Sequence, residues 1–254
     1  MPKKNQTPQK SSKAILYSLI VLLVFTVSSG KIDLSKLDTS DLSSIVDIFD
    51  LDDSGLVDYN HLEDLPEYDG THDIVTINNN QTGFDSSELS LAEGTWQTFT
   101  PLDKYNRVGA ANAMLQKEMM PTEKRSDISN VKPSGWKQKK MKNGDWLYNR
   151  SHLIAYRFTG ENDNWLNLFT GTQQMNQSNM TIYEEKVANY LKETGNHVRF
   201  RVRPYFKEDE LVPRGVEFEA KSVEDKKLEI HVFLYNVQDN YTIDYATGKS
   251  QYEK

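Results

Sequence analysis

The sequence predicts an α+β domain on a mixed, mostly antiparallel sheet, and three observations point there. His197-Val-Arg-Phe-Arg-Val-Arg203 alternates apolar and basic residues without a break, the period of a half-exposed strand with Arg199, Arg201 and Arg203 on its solvent face. Val216–Ser222, Leu228–Asn236 and Tyr241–Tyr245 follow as further strands, with turns near Asp225 and Gly248. Such close succession favours antiparallel neighbours. Thr181–Thr194 carries the clearest helical signal. It opens on Thr181-Ile-Tyr-Glu184, a capping-box spacing, and stops at Gly195.

Upstream, Lys3, Lys4, Lys10 and Lys13 precede the apolar run Ala14–Val27. A basic start before a short apolar stretch is the pattern of an export signal. The run is shorter than the ~20 residues of a comfortable membrane span. A cleaved signal and an uncleaved anchor both remain open for residues 1–30, and either places the remainder outside the cytoplasm. Residues 31–70 are acidic and Ser-rich and read as a linker or tether. Within them, Asp50, Asp52, Ser54, Gly55 and Asp58 stand at calcium-loop spacing. The closing position is His61 where a bidentate Glu is required, so a solvated acidic turn is the preferred reading.

The main domain is expected over residues 71–254. Asp73–Ile77 reads as a strand and Asn78–Gly83 as its turn. Leu102–Gln116 has helical spacing of Leu102, Tyr105, Val108, Ala111 and Met114. Asn130–Gly144 is a loop, and Trp146–Tyr148 a short strand.

The composition, 37% hydrophobic and 26% charged, suffices for a buried core. With no cysteine among its 254 residues, the chain cannot use disulfides, cysteine-bound zinc or a thiol nucleophile. The net charge of −7 is unevenly spread. Residues 31–93 hold 16 acidic against 2 basic residues, whereas residues 94–254 hold 24 basic against 21 acidic. Local field guides a polyanion, so the second region remains open to one.

Chemistry centres on Asn149-Arg-Ser-His152. A neutral His can accept a proton from water near pH 7. Arg150, two residues away, can donate bidentately to a phosphate. Downstream, Asn167-Leu-Phe-Thr-Gly-Thr-Gln-Gln-Met-Asn176-Gln-Ser-Asn179 is dense in amides. An amide oxygen is a hard ligand able to hold Mg²⁺, and amides also cap turns. Gln177 and Asn179 fit the capping use. For Glu184, capping and a place beside a metal compete.

From about residue 71 to residue 250 the chain resembles the DNA/RNA nonspecific endonucleases, whose core is the ββα-metal or His-Me finger unit, and most of all the streptococcal-type DNases, DNA-entry nucleases among them. The resemblance rests on Pro133–Trp136, Asn149–Ala155, Asn167 and Asn176 ahead of Tyr183-Glu184, Val198–Val202, Leu211–Pro213, Glu219–Ser222 and Asn236–Gln238. It implies that His152 is the general base, Asn176 the metal ligand, and Arg150 a phosphate contact. It further implies that Asn167 holds the metal loop in shape and that Glu184 lies on the helix beside the metal. The commonest family pattern is Asp-Arg-Gly-His; Asn149 and Ser151 depart from it, which leaves no carboxylate role at position 149. The implied activity is Mg²⁺-dependent hydrolysis of DNA, with RNA a further candidate and Mn²⁺ a substitute. Lys137, Lys139, Lys140 and Lys142, with Arg125 and Arg201, are the expected phosphate grip. Such binding is blind to sequence and sensitive to salt. The rival readings are an exported DNA-uptake receptor with little turnover, a calcium-binding surface protein built on residues 50–61, and a phosphodiesterase for small esters.

Overall fold

The structure is a computed structural model and describes residues 56–253. The export leader and most of the calcium-spaced loop lie outside the described residues. Among the described residues no helix is long and apolar enough to cross a membrane.

The strands are β1 (Asp58–Tyr59), β2 (Ile74–Ile77), β3 (Trp96–Phe99), β4 (Ala111–Leu115), β5 (Tyr148–His152), β6 (Leu168–Thr172), β7 (Val198–Tyr205), β8 (Gly215–Ser222), β9 (Glu229–Tyr235), β10 (Tyr241–Asp244) and β11 (Lys249–Tyr252). The helices are the short α1 (Tyr156–Thr159) and the long α2 (Met180–Thr194). Seven strands form one sheet in the order β1-β2-β9-β8-β7-β4-β3. Only the β1–β2 pair is parallel, so the mixed, mostly antiparallel sheet expected from the sequence is the sheet observed. β5–β6 and β10–β11 are separate antiparallel ribbons.

One face of the sheet is apolar and carries α2. Phe200 and Val202 of β7, Phe218 and Ala220 of β8, and Val232 and Leu234 of β9 meet Tyr183, Val187 and Leu191 of the helix, all buried. Phe200 and Phe218 meet edge to face at 5.0 Å, and Phe158 of α1 joins them at 5.3 Å. Each such large side chain contributes about 1.5–3 kcal/mol on burial. α2 ends where expected, with Gly195 in the left-handed conformation at φ 71°.

The opposite face corrects an expectation. Arg199, Arg201 and Arg203 do share one face of β7, but that face is ion-paired, and it is covered at Arg199 and Arg201 while Arg203 stays 42% exposed. Directly opposed strands pair Arg201 with Glu219 and Arg203 with Glu217. Residues 80–88 lie across the same side, with Glu88 accepting from Arg199 and Arg201 and the Phe84 ring under both guanidiniums. The alternation is correct; the second environment is a salt-bridged layer, not solvent.

Two further expectations change. Leu102–Gln116 is not a helix. Asp103 accepts from the backbone of Tyr105 and Arg107, Asn106 takes φ 60°, and the chain returns as β4 between β3 and β7. Ala111, Ala113 and Leu115 favour helices intrinsically, yet they fit a central strand buried on both sides, and context outweighs propensity. The packed unit also begins before residue 71. β1 pairs with β2, Leu65 and Tyr68 pack against the Val75 and Tyr235 cluster, and Glu67 bridges Lys207 and Arg214.

Candidate active site

β5 is longer than the strand expected at 146–148 and contains Asn149-Arg-Ser-His152 itself. It pairs with β6 in the register His152↔Leu168 to Tyr148↔Thr172. Gly171 is required for this approach, because a Cβ there would run into the Ser151 side chain. After β6 the chain turns through a π-helical segment, Met175–Asn179, and continues into α2. The order is therefore strand, strand, helix. π-helical turns are rare and concentrate at functional sites. The helical path already exists ahead of Thr181, and Asn179 makes no side-chain cap. Glu184 is consequently a mid-helix residue and not the closing member of a capping box.

His152 ends β5 and is only 6% exposed. Its Nε2 lies 2.8 Å from the Asn162 carbonyl oxygen, and its Nδ1 lies 3.3 Å from Arg125 Nη2. A carbonyl only accepts and a guanidinium only donates. The ring is thus the neutral tautomer with hydrogen on Nε2 and a lone pair on Nδ1. Burial, and next the Arg125 cation, push its pKa down to about 4 against the opposing pull of the Asn162 and Glu161 carbonyls.

Glu184 of α2 is mostly buried, and its pKa is pushed up to about 7 by that burial. Arg157 of α1 pulls the other way, with its Nε 3.9 Å from the carboxylate, and Arg125 adds a weaker pull. Arg125 is therefore felt by both His152 and Glu184, which brings the two groups into one electrostatic neighbourhood. The Arg125 contact to the imidazole was not expected from a residue read only as phosphate grip.

Asn176 lies in the π segment, half-buried, with no side-chain hydrogen-bond partner among the described residues. It stands eight residues before Glu184, a little over two helical turns away, within the i, i+4, i+8 stripe. Its neighbour Gln177 donates to Asn149 Oδ1 at 3.2 Å, which sets this turn beside β5. The Asn149 Nδ2 is buried without a hydrogen-bond partner among the described residues. Asn167 is fully buried; its amide accepts from the Ile154 N–H at 2.8 Å and donates to the Ile154 carbonyl at 3.0 Å. Both ends of the loop that follows His152 are tied together in this way.

Two expected substrate contacts are used otherwise. Arg150 donates through Nε to the Val131 carbonyl and through Nη2 to the Ser129 carbonyl at 2.8 Å, and its guanidinium lies 4.4 Å from the Trp136 ring. It organises the 129–136 loop. Arg201 is held by Glu88 and Glu219 in the salt-bridged layer. Lys137, Lys139, Lys140 and Lys142, by contrast, make no ion pair among the described residues and lie at or near the surface. The Asn162 carbonyl and Arg157 were not anticipated. The first is a backbone atom that carries no sequence signal, and the second joins the site only through folding.

The family profile for DNA/RNA non-specific endonuclease matches residues 89–224. The chain is similar to NucA of Streptococcus agalactiae with a magnesium ion bound, at 31% identity and TM-score 0.63, over 71% of this chain and 88% of that one. Against the same nuclease with no metal bound the figures are 32%, 0.65, 76% and 92%. It is also similar to the Sda1 nuclease with bound zinc, at 26% identity and TM-score 0.56, over 61% of this chain and 80% of that one. A matched profile over half of the sequence and a fold shared with streptococcal nucleases along most of it establish that this chain belongs to the DNA/RNA non-specific endonuclease family, a family of metal-dependent nucleic-acid hydrolases.

Proposed function

We propose that this protein is a Mg²⁺-dependent, sequence-nonspecific endonuclease that hydrolyses phosphodiester bonds of DNA, with RNA as a second substrate, outside the cytoplasm. One observation carries the reading: a buried, neutral imidazole whose Nδ1 lone pair is fixed by the Asn162 carbonyl on its other nitrogen. A base must be unprotonated and aimed, and His152 is both.

The donor set fits a hard divalent cation. The Asn176 amide has no side-chain partner among the described residues, and the Glu184 carboxyl sits in a site that resists its charge. Oxygen donors of this kind suit Mg²⁺, with Mn²⁺ as a substitute. Asn176 would hold the ion, with Glu184 close by. When bound, the cation offsets charge on the phosphate and the leaving 3′ oxygen.

His152 Nδ1 takes a proton from water, the water oxygen attacks phosphorus, and the bond to the 3′ oxygen breaks as that oxygen takes a proton from a second water. Arg125 now covers that lone pair. A bound phosphate draws the guanidinium across, which frees Nδ1 and places a cation on the reacting group. Asn167 keeps the loop after His152 in shape. Lys137, Lys139, Lys140 and Lys142 hold the phosphates of the substrate, so binding weakens as salt rises. Arg150 serves by positioning the 129–136 loop. Export rests on the lysine-flanked apolar run of residues 14–27.

The test is a plasmid digest with Mg²⁺, with EDTA, and with His152→Ala. Removal of a general base should lower the rate by about 10²–10⁴-fold, with DNA binding retained. Undiminished cleavage by the variant would remove His152 from the mechanism. Binding without any cleavage by the unaltered protein would favour a DNA receptor. Fractionation of cells and medium locates the activity.

A further inference from the structure

The C-terminal ribbon β10–β11 lies beyond the stretch matched by the nuclease profile. It packs onto the strand that ends at His152. The Tyr148 hydroxyl of β5 donates to the Gly248 carbonyl at the ribbon's tip, and Tyr241, Ile243 and Tyr245 cluster with Tyr148, Leu147 and Met141. Just before β5 the chain forms the lysine-rich loop 137–146, closed by the Lys140↔Trp146 bridge. Loop and ribbon make one continuous surface.

Its chemistry is uneven in an informative way. Lys142 lies over the Tyr252 ring at 3.5 Å. Lys139 lies 5.5 Å from the Tyr241 centroid and donates to the Ser250 carbonyl at 2.7 Å. Tyr252 and Tyr241 thus each carry an ammonium group, and neither Lys142 nor Lys139 has a carboxylate partner among the described residues. The acid inside the loop, Asp145, is engaged by the Asn143 amide. Trp146 differs from the tyrosines. Lys140 stands 5.4 Å from its centroid, yet the residue is 53% exposed. An indole left open among unpaired lysines is the combination that binds strands through base stacking and backbone charge. In a duplex the base faces are buried in the stack, so an open indole selects unpaired bases.

We propose that loop 137–146 and the β10–β11 ribbon form a docking surface for unpaired nucleic-acid strands, with Trp146 stacking on a base and the four lysines holding the flanking phosphates. This rests on the nuclease reading and names its preferred substrate as a strand with unpaired bases. Trp146 precedes His152 by six positions, about 20 Å along an extended chain. At the duplex rise of about 3.4 Å per nucleotide the stacked base lies about six nucleotides from the cut, and fewer in a stretched strand.

The experiment measures binding of fluorescent dT12 and of a 12-base-pair duplex to the His152→Ala protein in EDTA, so that cleavage plays no part. Loss of one stacked base should weaken dT12 binding by about 5- to 150-fold in Trp146→Ala. The duplex should change by less than a third of that factor, and the salt slope should stay the same. Trp146→Phe should recover most of the loss. A dT12 affinity within twofold of the parent in Trp146→Ala would overturn the proposal, as would equal weakening toward both ligands. A melting curve checks that each variant is folded. Cleavage by His152→Ala would instead undo the base assignment and leave the docking result to stand by itself.

Discussion

What surrounds His152 suits it to the proposed role of base. The Asn162 carbonyl fixes which nitrogen carries the hydrogen, and burial with Arg125 keeps the ring neutral down to a pKa of about 4. Arg125 disfavours the imidazolium, so its removal should raise that pKa. In Arg125→Gln the acid limb of kcat/KM is expected to move to higher pH, together with a lower kcat/KM at its plateau. An unmoved limb in a pH–rate profile would show that Arg125 does not act on the imidazole. Asn176 allows an independent check. If its amide holds the cation, Mg²⁺ should raise the melting temperature of the parent protein, by mass action on the folded state, and should do so far less in Asn176→Ala. EDTA should erase the difference. At this scale the sequence was most informative where a side chain acts with its own atoms. His152, Asn176 and Glu184 could be proposed from the order of motifs in the sequence. The contact of Arg125 with the ring and the Asn162 carbonyl could not, because one reaches the imidazole from 27 positions away and the other is a backbone atom.

The ribbon β5–β6 with the helix after it forms the scaffold of the site, and its tolerance is narrow. The Asn149↔Gly171 pair leaves no room for a Cβ beside Ser151. Gly171→Ala should cost about 1–3 kcal/mol by overpacking, seen as a lower urea midpoint, with lost activity. Adding Ser151→Gly should return much of the stability, since it removes the opposing atoms. No recovery would place the strain elsewhere. Elements were legible in proportion to how far local pattern agreed with burial. β7 and α2 each have one apolar face against the common core, and their periods show it. β4 is covered on both sides and carries strong helix formers, so its pattern favoured the wrong element. β3 and β6 escaped notice for a related reason: Trp96–Phe99 is short, and Leu168–Thr172 is buried throughout. A strand without an exposed face shows no alternation.

Across the whole molecule, the sheet divides two kinds of stabilisation, apolar under α2 and ionic beneath residues 80–88. The ionic side centres on His231. Its Nε2 donates to Glu217 at 2.8 Å and its Nδ1 to the Gln81 carbonyl at 2.7 Å, with Glu219 at 3.9 Å. Two acceptors on two nitrogens require the imidazolium, and the pKa of His231 is raised despite its burial. Glu217, bonded to His231 and Arg203, is lowered to about 2 although burial opposes this. The signs then set the expected pH dependence. A histidine raised on folding contributes stability that is complete below its unfolded pKa of about 6.5 and is lost as pH rises through the folded value. A carboxylate lowered on folding contributes stability that is complete above its unfolded value of 4.5 and is lost as pH falls toward about 2. Both contributions are complete only between about pH 4.5 and 6.5. His152 and Glu184 titrate with other signs, so the network is isolated by difference. The stability lost in His231→Gln, measured by urea unfolding, should be greatest in that window and should shrink as pH rises above it, because the parent then loses the same imidazolium. The Glu217→Gln penalty should shrink instead as pH falls below 4.5. A His231→Gln penalty that stays constant from pH 5 to 9 would mean that the histidine is held neutral and that the layer depends on its arginines alone.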